Sequence, residues 1–477
     1  MSSRVHVLIV EDRAAQAAWL EKTCVEALAP SDLLVEVADN AGAALELLEW
    51  QHFDLAICDL AIPANAVSLS PDRQHGLGVV RVIREKYGGL PLIIVSEHSD
   101  DPALMRTLIR EAGTADPYGA NADFSMLVCF PNEELPECKR ELAEALSRSA
   151  GVARLPVTGA DAAKLTTSEV RAIQVFARSC GGSEAQVAGM AGGMSGATTL
   201  RLTVLGTEGQ ETALVAAKLG PRDRVFAESN AHRQLSILLP VGVGVPLSST
   251  VDAGAGSQGG AFYALAVDYT RDLFECLEHT PADAAAVVRS LREQLAPVYE
   301  KATQLERTML QLRRDIVRSA DARDAGLLES TIRALDGRNI VTTNCLQHGD
   351  MHGKNVLVNS VCKPMLIDYA DVRRTTGCLD PVTLELSAVF HPAAQAARLD
   401  WPTEAQAAAW SDLDNYLENC PFQDYVRACR EWITTVAATP EEVDAVVLSY
   451  CLRQLHFPRC PKPIAAALIE TACTRLS

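Results

Sequence analysis

An aspartate, an asparagine five residues on and a second aspartate thirteen residues later lie along His348-Gly349-Asp350-Met351-His352-Gly353-Lys354-Asn355 and Leu366-Ile367-Asp368. Transfer of a γ-phosphoryl group asks for little covalent chemistry from a protein. It needs a carboxylate to orient the attacking hydroxyl and oxygen ligands that hold Mg²⁺ against the phosphates. Asp350 suits the first role, and Asn355 with Asp368 the second. Val356-Leu357-Val358 and Met365-Leu366-Ile367 read as short apolar strands on either side. Such strands would fix the loop that carries the polar residues.

The loop resembles the catalytic loop of aminoglycoside phosphotransferases and related small-molecule kinases, in which His-Gly-Asp replaces the His-Arg-Asp of protein kinases. Upstream, Gly192, Gly193, Ser195 and Gly196 form a glycine-rich turn, where backbone amides can approach phosphates without side-chain obstruction. Alone, that turn is better read as a plain glycine-rich hairpin. The apolar run Ala213–Ala217 that follows ends in Lys218, the kinase arrangement for gripping α- and β-phosphates. Glu228, ten positions later in a helical stretch from Arg222 to Leu235, either pairs with Lys218 or is a solvated helix residue. Phe262–Val267 reads as a strand whose backbone would face an adenine edge. Pro281 to Leu335 reads as packing helices, with Leu291, Leu295, Val298 and Leu305 at helical spacing. Cys378-Leu379-Asp380-Pro381 stands where the family has an aspartate segment that braces the catalytic loop.

The first 148 residues alternate strands (Val5–Val10, Leu33–Ala38, Leu55–Cys58, Leu92–Val95, Met126–Phe130) with helical stretches, which predicts a parallel sheet covered on both faces. Function gathers at the carboxyl ends of such strands. Glu11, Asp12, Asp59 and Ser96 fall there. Three crowded carboxylates repel one another, and a divalent cation is the usual reason they persist.

Val-Glu-Asp after the first strand and Cys58-Asp59-Leu60-Ala61-Ile62-Pro63 resemble the response-regulator receiver domains. The resemblance implies that Glu11, Asp12 and Asp59 hold Mg²⁺, that Asp59 accepts a phosphoryl group, and that Ser96 is the switch Ser/Thr. The family's Lys-Pro pair after the fifth strand has no counterpart, since the expected alignment puts Val128-Cys129 there. The Asp59–Gly76 loop is also longer than usual.

Composition bounds the rest. At 477 residues the chain has room for about three domains. Hydrophobic content of 48% and a mean hydropathy of +0.06 describe a folded globular chain. A net charge of −18 argues against general nucleic-acid binding, which needs a basic footprint. Fourteen cysteines without a C-x-x-C read as buried free thiols. No apolar run reaches the ~20 residues that span a bilayer, so a cytoplasmic protein is expected.

The expected architecture is an α/β receiver domain with a five-stranded parallel, flavodoxin-like sheet over residues 1–148, and a linker over 149–166. A two-lobed α+β kinase-like domain follows, with its N-lobe over 167–275 and its C-lobe with a helical extension over 276–477. From Ser149 onward the chain is similar to the ternary complex associated domains, aminoglycoside-phosphotransferase-like modules of bacterial signalling and conflict systems. The resemblance implies a phosphotransferase moving the γ-phosphoryl of ATP or GTP to a hydroxyl of a small molecule or protein. The receiver would serve regulation or docking, with a histidine kinase as a partner. The competing reading is a nucleotide-binding pseudokinase scaffold. A drug-modifying enzyme is disfavoured, because it has no need of a fused receiver.

Overall fold

The computed structural model describes residues 4–68, 70–96, 102–131, 135–190, 198–265, 268–317, 326 and 328–477. Two compact units share the chain. The first runs to Ser229 and takes back Leu247–Leu265; the second holds Asn230–Pro246 and Ala266–Ser477.

The first unit contains two sheets. Strands β1 (Val5–Val10), β2 (Leu33–Ala38), β3 (Leu55–Cys58) and β4 (Leu92–Ser96) pair in parallel with each other and with β7 (Leu127–Pro131), in the order β2-β1-β3-β4-β7. A short hairpin, β5 (Thr114–Ala115) and β6 (Phe124–Ser125), precedes β7. Helices α1 (Ala14–Ala27), α2 (Ala41–Trp50), α3 (Arg73–Lys86), α4 (Pro102–Ala112) and α5 (Leu135–Ala153) connect the strands. The strands read as apolar runs because both faces are covered: Leu8, Val10 and Ile94 enter one cluster, Val7, Ile9 and Ile93 the other. Helix α3 starts at Arg73, four residues before the apolar pattern begins, because the Asp72 side chain caps it by accepting from the amide of Gln74.

The second sheet has the order β12-β13-β11-β10-β9-β8. Its strands are β8 (Val157–Thr158), β9 (Glu184–Gly189), β10 (Thr198–Leu205), β11 (Glu211–Pro221), β12 (Leu247–Val251) and β13 (Gln258–Ala264). Helix α6 (Thr167–Ser179) packs on it, opened by a capping box between Thr166 and Glu169. Helix α7 (Arg222–Ser236) follows β11 directly.

The stretch 149–166, read above as a linker, is structured. Helix α5 runs through Ala153, and β8 pairs in parallel with β9. Its small residues serve close packing: Ala150 and Ala153 are buried, and a side chain added at Gly151 would strike the Arg178 guanidinium. Tyr118, Val152, Leu155, Ile173, Phe176, Val187, Leu202 and Phe262 share one core, with Phe176 and Phe262 stacked at 3.9 Å. A buried ion pair crosses the same seam. Arg171 on α6 donates through Nη2 to Asp54 Oδ2 at 3.0 Å, and its Nε lies 2.6 Å from Oδ1, in ion contact but outside hydrogen-bond alignment. His52 bridges Asp54 Oδ1 at 3.1 Å and the Ser168 hydroxyl at 2.9 Å. Gly119 has φ +60, and a Cβ there would stand 2.1 Å from the Val175 carbonyl oxygen, so only glycine lets the hairpin lie this close to α6.

In the second unit, β14 (Arg271–Asp272), β17 (Val356–Val358) and β18 (Pro364–Leu366) form one small antiparallel sheet. Strands β15 (Thr303–Thr308), β16 (Asn339–Gln347) and β19 (Arg373–Thr376) form another. Most of the remainder is helical, from α8 (Leu273–His279) to the helices Gln423–Val436, Pro440–Leu455 and Lys462–Leu476. One expectation fails here. Leu305 lies in a strand, not a helix, because Thr303 to Thr308 pairs residue for residue with Asn344 to Asn339. β-branched threonines at both ends favour the extended form. No helix among the described residues is long and apolar enough to cross a membrane.

Candidate functional site

The His348–Asn355 loop follows β16. The sheet ends at Gln347, and the chain turns through His348 and Gly349, both anchored by one carboxylate. Asp380 accepts from the amide of His348 at 2.7 Å and from that of Gly349 at 2.8 Å. Burial raises the Asp380 pKa against the pull of His348 and the two amides. Gly349 has φ +81, and a Cβ there would stand 2.3 Å from the Asp371 carbonyl oxygen. Buried His348 sets its Nε2 3.0 Å from the Ile367 carbonyl oxygen, tying the loop to the segment that carries Asp368.

Within the loop, the Asn355 side-chain amide donates to the Asp350 carbonyl oxygen at 2.9 Å, and the His352 amide donates to the same atom at 2.8 Å. The Ile367 amide donates to the Asn355 carbonyl oxygen at 3.1 Å. Asp350 and Asn355 are thereby fixed by the backbone that links them. Asp368 follows β18 with φ +63, a left-handed conformation costly for a residue with a side chain and of the kind concentrated at functional sites. Asn355 spends its Nδ2 on the backbone, so its amide oxygen and the Asp368 carboxylate are oxygen donors of the kind that could hold Mg²⁺.

Arg453, on the helix Pro440–Leu455, was not anticipated. Its Nη2 donates to Asp350 Oδ1 at 3.1 Å and lies 4.0 Å from Asp371 Oδ2. His352 Nε2 lies 3.6 Å from Asp350 Oδ2, and burial lowers the His352 pKa, so this ring is neutral near pH 7. Lys354 forms a short ion pair with Asp272, the N-cap of α8.

In the first unit, Lys218 on β11 faces Thr199 of β10 and Ala261 of β13 across the sheet. Its Nζ lies 2.8 Å from Glu228 Oε2 on α7, and Tyr263 donates its hydroxyl to Glu228 Oε1 at 3.2 Å. The pairing that sequence left open is thus formed. Gly192, Gly193, Ser195 and Gly196 lie outside the described residues, as does the end of the expected Phe262–Val267 strand.

Glu11, Asp12 and Asp59 converge at the carboxyl ends of β1 and β3, each with an oxygen within 4.8 Å of the others. Glu11 and Asp59 are buried, and Glu11 Oε2 has no hydrogen-bond partner among the described residues. Burial pushes the Glu11 carboxyl up to about 7, although Arg13 opposes it. An orphaned buried oxygen in a three-carboxylate cluster fits a divalent cation. Ser96 stands opposite Pro131 at the end of β7, and Val128 and Cys129 stand opposite Ile93 and Ile94, further back along the strand. None of the residues from Leu127 to Pro131 is a lysine.

Residues 7–116 match the family model described as response regulator receiver domain. Among solved structures, the chain is similar to a sensor protein from Polaromonas sp. JS666, at 17% identity over 31% of this chain and 96% of that one, with a TM-score of 0.22. It is similar to an aminoglycoside-3'-phosphotransferase of type VIII, at 17% identity over 56% and 100% of the two chains, with a TM-score of 0.33. It is also similar to an ethanolamine kinase from Plasmodium vivax, at 10% identity over 61% and 81%, with a TM-score of 0.34. No curated protein matches the sequence. The chain thus matches the receiver-domain model over residues 7–116, which lie in the five-stranded parallel sheet and its helices, and continues into a six-stranded sheet, two small antiparallel sheets and a helical carboxyl-terminal region.

Proposed function

We propose that the kinase-like part transfers the γ-phosphoryl of ATP or GTP to a hydroxyl acceptor, and that the receiver regulates or docks it. The observation that carries this reading is the braced loop: Asp380 anchors His348 and Gly349, and Asn355 holds the Asp350 backbone. A scaffold without chemistry has no physical need for Asp350, Asn355 and Asp368 together.

In this reading Lys218, held by Glu228, binds the α- and β-phosphates, and Gly192, Gly193, Ser195 and Gly196, outside the described residues, are the further nucleotide-binding candidates from sequence. Asn355 and Asp368 hold Mg²⁺, which neutralises phosphate charge when bound. Asp350 orients the acceptor hydroxyl. The acceptor oxygen forms its bond to phosphorus, the bond to the nucleoside diphosphate breaks, and the hydroxyl proton leaves by way of Asp350. In the receiver, Glu11, Asp12 and Asp59 hold Mg²⁺, Asp59 is the phosphoacceptor, and a histidine kinase is the partner class.

Lys218→Ala should weaken nucleotide binding and slow transfer, because a partly buried point charge on the phosphates is lost. Lys354→Ala should act more mildly, since Lys354 is engaged with Asp272 and holds the start of α8. Nucleotide titration of both variants by calorimetry tests the assignment. Equal loss at both positions would mean that Lys218 is not the nucleotide lysine.

A further inference from the structure

The receiver lacks a lysine at the end of β7, yet a cation stands beside its candidate phosphoacceptor. We infer that Arg13 is the cationic partner of a phosphoryl group on Asp59, in the role that a lysine on the last strand would otherwise fill. The inference rests on the phosphoacceptor reading of Asp59 given above.

Arg13 directly follows the acidic pair and forms the N-cap position of α1, without a side-chain cap bond there. Its Nη2 lies 3.7 Å from Asp59 Oδ2, its Nε lies 3.2 Å from Glu11 Oε1, and its backbone amide donates to the same Glu11 oxygen at 3.1 Å. Nη2 also donates to Gln16 Oε1 at 3.2 Å, a local bond that holds the guanidinium over the first turn of the helix. Asp59 is 4% exposed, whereas the Arg13 side chain is 38% exposed. The guanidinium therefore stands on the solvent side of a buried carboxylate, where a new group on Asp59 would emerge.

The chemistry suits the position. A phosphoryl group adds negative charge and three acceptor oxygens. At 3.7 Å from the bare carboxylate oxygen, the guanidinium is too far for a hydrogen bond to Asp59 and near enough to bond an oxygen one atom further out. Its planar fork can bond phosphoryl oxygens in pairs, which an ammonium cannot. No residue of β7, Leu127 to Pro131, carries a charge.

Phosphorylation by acetyl phosphate, with MgCl₂ present, tests the assignment on the full chain. The bond from Asp59 Oδ to phosphorus forms, the phosphorus–oxygen bond of acetyl phosphate breaks, and acetate leaves with the electron pair. Intact-mass measurement follows the extent of labelling and its lifetime after the donor is removed. The wild-type chain should label, and Asp59→Asn should not. Arg13→Ala should lose roughly tenfold or more in half-saturating donor concentration or in label lifetime, the scale of one hydrogen bond to a charged group. Arg13→Lys should recover most of it, and thermal midpoints of the three chains measure separately what loss of the Glu11 and Gln16 contacts costs the fold. Arg13→Ala labelling as fast and lasting as long as wild type, or labelling faster, would overturn the assignment. A wild-type chain that never labels would remove the phosphoacceptor reading of Asp59, and the Arg13 assignment with it.

Discussion

Asp350→Ala should lower phosphoryl transfer by about 10²- to 10⁴-fold, the usual contribution of a positioned acid–base group, while nucleotide affinity stays near that of the intact chain. Asp350 acts on the acceptor and not on the phosphates, and its backbone carbonyl, which receives Asn355 and His352, survives the substitution. Asp368→Ala should behave differently. It removes a metal ligand, so binding of the Mg²⁺–nucleotide should itself weaken, and excess Mg²⁺ should restore part of it. Calorimetry with and without Mg²⁺, paired with turnover, separates the two outcomes. Equal losses of nucleotide affinity in both variants would show that Asp350 is not confined to the acceptor.

The second large effect lies at the seam in the first unit. Arg171→Met leaves Asp54 buried without its guanidinium, and loss of one partner of a buried pair costs about 3–5 kcal/mol. Burial alone would raise the Asp54 pKa, yet Arg171 and His52 overcome it and hold the carboxyl below the ordinary carboxylate range. A depressed carboxylate pKa stabilises the fold above the unfolded value, near 3.9. That contribution is lost as pH falls toward the folded value, so the intact chain should lose stability below about pH 4. The Asp54→Leu, Arg171→Leu double variant should recover much of the single-variant loss, because no uncompensated charge remains. Denaturant melts of the three chains check this; a single variant as stable as wild type would mean that the pair contributes nothing. The shared core has a further consequence. Removal of residues 1–148 would take Tyr118 and the β5–β6 hairpin from α6, so its first effect should be on folding of the remaining sheet and not on partner recruitment alone.

What sequence made legible was what lies close together in it. The His348–Asn355 loop is contiguous, its flanking strands are apolar runs, and Asp368 ends one of them, so the three polar residues could be assigned roles without a structure. Asp380 was legible only through resemblance, since nothing local says that its carboxylate meets two amides. Lys218 could be read from the apolar run it follows, although β11 continues to Pro221, and its link to Glu228 depends on α7 following β11 without a loop. Arg453 lies 103 positions from Asp350, and Arg171 lies 117 from Asp54; no periodicity reports pairs at such separations. Arg13 is adjacent to the acidic pair, but nothing in its type or spacing places its guanidinium beside Asp59 on another strand. Segment 149–166 misled by composition: small residues mark both loose linkers and tight helix packing, and burial alone separates them. Leu305 misled by spacing, since one apolar residue fits a helix face and a strand edge equally.

Incubation of the full chain with γ-labelled ATP and Mg²⁺, alone and with cell lysate, tests the central claim most directly. Label should appear on an acceptor or on the chain itself and be lost in Asp350→Ala, although that variant still binds nucleotide. Tight nucleotide binding by both chains, with no more label from wild type than from Asp350→Ala, would contradict it and leave a nucleotide-binding scaffold.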